Sequence, residues 1–237
     1  MKAKSGKHDV ETAICICLMA CLAASGCVNG SGSKAKALSS EANATFATDP
    51  FEAKPAPEPT VLSAPSWEVV FETTWSKEIV GQEPADLFVL DGNFVIADKD
   101  GDKALALLGI PVGDFGFLFG PRVKGKPVEL TCRVFSTRKG RRMPAFAAGL
   151  GGVNGYRLRI NAAARNTQLV HGEETLASIP YVWKSGTWTR LRFRAEPKGD
   201  EGVTVSAKVW SVDENEPADW TLKYESPEPY VGGKSTL

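Results

Sequence analysis

The stretch from Gly186 to Trp210 reads GTWTRLRFRAEPKGDEGVTVSAKVW. Thr189, Leu191, Phe193 and Ala195 fall on one side of an extended chain, and Trp188, Arg190, Arg192 and Arg194 on the other. After the turn signal Lys198-Gly199-Asp200 the alternation resumes, with Val203, Val205, Ala207 and Val209 opposed to Thr204, Ser206, Lys208 and Trp210. A period of two is the signature of a strand with one face buried, because successive Cβ atoms point to opposite faces of a sheet. These two runs therefore predict a hairpin with an apolar inner face and a polar, largely basic outer one.

Working outward, the same texture recurs in WEVVFETTW, LFVLDGNFVIA, KALALLGI, PVELTCRVFS, GYRLRINA and TQLVHG. Asp91-Gly92, Asp100-Gly101, Asn154-Gly155 and His171-Gly172 punctuate these runs as turn signals. No amphipathic helix of three turns separates them, and no internal repeat of 20–50 residues is visible. Many short strands without intervening helices predict an all-β fold, an antiparallel β-sandwich, over residues 67–237.

The segment from Gly152 to Trp220 resembles the concanavalin A-like, laminin G-type jelly roll. The resemblance rests on Asn154-Gly155-Tyr156-Arg157-Leu158, on Gly186-Thr187-Trp188-Thr189-Arg190-Leu191, and on Lys208-Val209-Trp210 followed by Glu216-Pro217 and Trp220. It extends more loosely back to Trp67 and implies a fold shared by lectins, glucanases, lyases and adhesion modules, so it carries little functional specificity. Such domains close with a strand after a Gly-rich turn, whereas the sequence here stops at VGGKSTL. The closing strand is accordingly expected to be displaced or missing, with a sheet edge near Val231–Leu237 unpaired or covered by another segment.

The N-terminus differs in kind. Lys2, Lys4 and Lys7 precede an apolar run, AICICLMACLAA from Ala13 to Ala24, and Ala24-Ser25-Gly26-Cys27 follows. A basic start, a short apolar core and a small-residue exit describe a secretory signal. It resembles a bacterial lipoprotein signal, which implies a leader over 1–26, a Cys27 that carries acyl chains (palmitate among them), and a membrane anchor at the cell envelope. Val28 in place of Asp inclines the sorting towards the outer membrane. An ordinary cleaved signal and an uncleaved N-terminal anchor are the competing readings. Residues 27–66 form a Gly-, Ser-, Ala- and Pro-rich tether with a reach of roughly 35 Å.

Composition excludes some functions. Lys plus Arg and Asp plus Glu are both 28, and that balance argues against a nucleic-acid partner. His8 and His171 are the only histidines, too few for a zinc site built on several of them. Cys132 is the only cysteine beyond Cys27 outside the leader, so no structural disulfide is expected. It alternates with Glu129, Thr131 and Arg133 in VELTCRVF and reads as a core residue, with no catalytic residue assigned.

Two acidic features bear on possible chemistry. The glucanase branch of the resembled superfamily carries E-x-D-x-x-E on one strand, and this sequence has no such triplet. The run Asp213-Glu214-Asn215-Glu216 reads as a solvated loop. Asp98, Asp100 and Asp102 lie in a D-x-D-G-D run that departs from the EF-hand spacing. A tight Asp-Gly hairpin turn is the leading reading there, and a calcium ion is the alternative.

The outer faces carry the functional expectation. Arg157, Arg159, Arg190, Arg192, Arg194 and Lys208, with Trp188 and Trp210, would form one basic, aromatic surface if their strands share a sheet. Like charges opposed across strands are unfavourable, so Glu68, Glu72 and Glu129 must neutralise them, or an acidic glycan must. The function expected is a lipid-anchored, non-catalytic binding module for a glycan ligand at the cell surface. A glycan-active hydrolase or lyase on the same fold, and a structural envelope lipoprotein, are the alternatives.

Overall fold

In the computed structural model the described residues are 15–24, 67–109 and 116–237, the first of these as backbone only. Cys27 and the tether to residue 66 lie outside them. The fold is an all-β sandwich of two antiparallel sheets, and its only helix among the described residues is a single 3₁₀ turn at Gly199–Glu201.

The strands are β1 Cys15–Ala24, β2 Trp67–Thr73, β3 Phe88–Asp91, β4 Phe94–Lys99, β5 Asp102–Leu107, β6 Gly116–Val123, β7 Val128–Ser136 and β8 Ala145–Leu150. They continue as β9 Tyr156–Asn161, β10 Asn166–His171, β11 Glu174–Pro180, β12 Thr187–Pro197, β13 Val203–Ser211, β14 Leu222–Ser226 and β15 Gly233–Thr236. The larger sheet runs β14-β13-β12-β7-β1-β5-β4, with β2 also paired to β1; the smaller runs β11-β10-β9-β8-β15-β6-β3.

The inward sides of the alternating strands meet in one core. Leu130, Cys132, Leu191, Phe193 and Val205 come from the larger sheet, and Phe117, Phe119, Leu158, Ile160 and Leu169 from the smaller. Phe117 meets Phe94 edge-on across the sandwich, at 5.0 Å between centroids. Each fully buried Leu, Ile or Phe contributes about 1.5–3 kcal/mol relative to exposure, which makes this face the principal support of the fold. The hairpin quoted first is β12 and β13, paired from Thr189–Ser211 to Pro197–Val203.

Three features depart from expectation. Asp91-Gly92 is not a hairpin turn: β3 pairs with β6 in one sheet and β4 with β5 in the other, so the chain changes sheet there. The unpaired edge expected near Val231–Leu237 is absent. β15 lies between β6 and β8, and Leu237 exchanges backbone hydrogen bonds with Phe117. Pairing on both sides leaves no edge at that place.

The third concerns the apolar run that the sequence offers as the core of a leader. From Cys15 to Ala24 it is a strand that pairs β7 on one side and β2 and β5 on the other, which does not bear on whether the segment is cleaved. A short uncharged apolar run suits a buried strand as well as a leader, and periodicity does not separate the two.

Candidate binding groove on the outer face of the larger sheet

The register of the larger sheet sets out its outer face row by row. Arg190 lies between Arg133 and Trp210, Arg192 between Thr131 and Lys208, and Arg194 between Glu129 and Ser206. Trp188 sits beside Phe135, with ring centroids 5.5 Å apart.

The acids are placed to neutralise this face. Glu129, only 3% exposed, receives Arg194 at 2.7 Å and Arg192 at 3.6 Å. Arg192 also reaches Glu216 at 2.9 Å, and Arg133 reaches Asp102 at 2.7 Å. The Lys208 ammonium, almost wholly buried, donates to the carbonyls of Pro217 and Ala218 and to Glu216. It thereby pins the loop after β13, and Trp220 in that loop lies 5.2 Å away beneath the same ammonium. Glu214 in the same loop pairs with Lys184, and that hydrogen bond holds its carboxyl below the usual range. The acidic run read as merely solvated is thus bound to cations at two of its positions.

The aromatics are also engaged. Trp210 is 6% exposed and cannot offer a ring to a ligand. Trp188 is half-buried, with the Arg133 guanidinium 4.6 Å over its ring. Trp67 and Trp220 each lie 4.7 Å from the Arg194 guanidinium. Cation–π stacking of this kind uses the faces that a sugar would need.

Arg157 and Arg159 do not belong to this surface. They sit on β9, in the smaller sheet, so the single basic face expected from alternation is divided between the two sides of the sandwich. Alternation sorts inward from outward within a strand and carries no information on which sheet the strand joins. Arg157 donates to the Gly172 carbonyl, while Arg159 is exposed.

A groove of about 730 Å³ opens on the larger sheet. Arg190, Arg133, Asp102, Lys103, Thr131 and Glu216 line it, among others. Arg190 is exposed and, among the described residues, makes no ion pair. Lys103 is held to the loop after β2 by hydrogen bonds to the carbonyls of Ser76 and Glu78. Arg133, Asp102 and Glu216 were not singled out as ligand residues by alternation alone. The signal for Arg133 was its place opposite Cys132; Asp102 opens β5 at the hairpin end and Glu216 comes from a loop, where no period reaches to be read.

The Asp98–Asp102 segment is the tight turn of the β4–β5 hairpin. Asp100 and Gly101 both have positive φ, 58° and 88°, as a two-residue hairpin turn of the primed kind requires. Asp98 accepts from the Gly101 amide, Asp100 pairs with Lys99, and Asp102 turns away to Arg133. Among the described residues no three His, Cys, Asp or Glu side chains converge as metal ligands. Cys132 is buried, and desolvation pushes its thiol up to about 12, so it is a core side chain without nucleophilic character at neutral pH.

Comparison of the chain with protein-family models, with curated proteins and with solved structures finds no match.

Proposed function

We propose that this is an exported lipoprotein, anchored through an acylated Cys27, whose sandwich of concanavalin A-like or laminin G type binds a glycan without transforming it. The observation that carries the reading is Arg190, an exposed guanidinium in a groove where Arg133 pairs with Asp102, Arg192 pairs with Glu216 and Lys103 is bonded to backbone carbonyls. Each guanidinium has five N–H donors and each carboxylate about four acceptor sites, so residues engaged with one another still have capacity for a ligand. Sugar hydroxyls both donate and accept, and a lining of Asp102–Arg133, Glu216–Arg192, Thr131 and Arg190 offers partners of both kinds.

The same pairing favours a neutral or weakly acidic glycan over a heavily sulfated one. Glu129, Glu216 and Asp102 cancel most of the cationic field that a polyanion would need. The proposal is tested by probing a glycan array with the purified domain and measuring hits by calorimetry, with Arg190→Ala alongside. Binding that is lost in Arg190→Ala supports the reading, and binding unchanged in that variant refutes it. Mass spectrometry of the membrane fraction tests the anchor: an unmodified Cys27 on the mature chain would overturn it.

A further inference from the structure

If the leader is removed before Cys27, as the lipoprotein reading requires, β1 leaves with it. β1 is an interior strand of ten residues, paired to β7 from Cys15–Phe135 to Ala23–Val128 and to β2 from Met19–Thr73 to Ala24–Trp67. Its departure opens a slot two strand spacings wide, roughly 9.5 Å, between β7 and β2. The slot is bordered by the backbone donors and acceptors of β7 and β2 that β1 had paired, and such groups are costly to leave unpaired next to a core.

The sheet cannot close this slot by itself at low cost. β1 runs antiparallel to β7 and also to β2 and β5, so β2 and β5 run parallel to β7. Direct pairing of β2 or β5 with β7 would insert a parallel ladder into an otherwise antiparallel sheet. β2 is held besides: Phe71 packs on Phe119 with centroids 5.5 Å apart, and its Cβ lies 3.3 Å from where a Cβ on Gly120 would stand. Moving β2 across would tear Phe71 from the core.

We infer that the slot between β7 and β2 is a strand-acceptor site, filled in the exported protein by an extended segment of a partner polypeptide. The seated β1 states what the segment must be. It spans about nine residues, runs antiparallel to both neighbours, and is apolar at the positions level with Leu130 and Phe71 and with Val128, whose side chains face the core. Main-chain hydrogen bonds would supply affinity and the alternate inward positions specificity, as in strand addition generally. The inference rests on leader removal alone and is independent of any glycan in the Arg190 groove.

The test uses mature protein purified from membranes and a synthetic peptide of residues 15–24 with its three cysteines replaced by alanine. The expected result is one-to-one binding, a rise of several degrees in melting temperature, and at least tenfold slower amide exchange along Val128–Phe135. The same peptide carrying Leu22→Pro should do none of these, because proline removes a ladder donor. Exchange in β7 that is already slow without peptide, together with no binding, would show that the sheet closes unaided and overturn the inference. So would a mature chain that dimerises with β7 protected, which makes a second copy the occupant. A mature chain that still carries residues 15–24 would overturn both this inference and the anchor, while glycan binding through Arg190 would be unaffected.

Discussion

Glu129 and Arg194 face one another across β7 and β12, with Nε at 2.8 Å and Nη2 at 2.7 Å from the same carboxylate oxygen. The guanidinium is enclosed by Trp67 and Trp220, so the pair is both charge-matched and stacked. This buried acid decides the character of the outer face, because it also draws in Arg192. A strip that alternation makes basic is thereby close to neutral.

Glu129→Gln should therefore do two things at once. It should lower stability by about 2–3 kcal/mol, less than the roughly 3–5 of a fully buried pair because both arginines keep some contact with solvent. It should also make the domain stick to heparin at low salt, where the unaltered protein flows through. Denaturant midpoints and column retention check the two effects; a stable variant that still flows through would contradict the neutralising role.

Arg190 and Trp210 are cross-strand neighbours with opposite expected phenotypes. Arg190→Ala should change stability by no more than about 0.5 kcal/mol, as surface substitutions do, while removing glycan binding. Trp210→Ala should cost about 3 kcal/mol or more through the lost buried ring. Parallel melting curves and titrations separate these outcomes.

The hairpin turn is expected to be held by backbone conformation and not by an ion. Gly101→Ala, at a φ of 88°, should destabilise by about 1 kcal/mol or more. Neither calcium nor a chelator should move the melting temperature of the unaltered domain. A calcium-dependent rise of several degrees would show that the turn carboxylates bind metal after all.

Cys132 should be silent to alkylating reagents in the native state at pH 8.5 and react once the chain unfolds. Burial raises its folded pKa from the ordinary thiol value of 9.0 to about 12. The unfolded state thus loses the thiol proton first, and this group's contribution to stability is intact below pH 9. It falls as pH rises from 9 towards 12. Cys132→Ala should remove that part of the alkaline loss, which pH-dependent unfolding measures.

The sequence by itself determined the class of fold and which side of many strands is buried. Leu191, Phe193, Val205, Leu130 and Leu158 were all legible from a period of two, since a side chain's direction within a strand depends only on its neighbours in the chain. The Asp100-Gly101 turn was legible for the same local reason, because only a few residue types accept positive φ. Tertiary structure alone decided the rest. It sent β9 to the other sheet and took Arg157 and Arg159 with it, and it placed β15 between β6 and β8. It brought Asp102 to Arg133 and Glu216 to Arg192 across long stretches of chain, and it seated Cys15–Ala24 between β7 and β2. Strand partners are chosen by packing and by ladders between segments distant in sequence. The charge of a surface is the sum of what those pairings bring together, so neither can be read from any one segment.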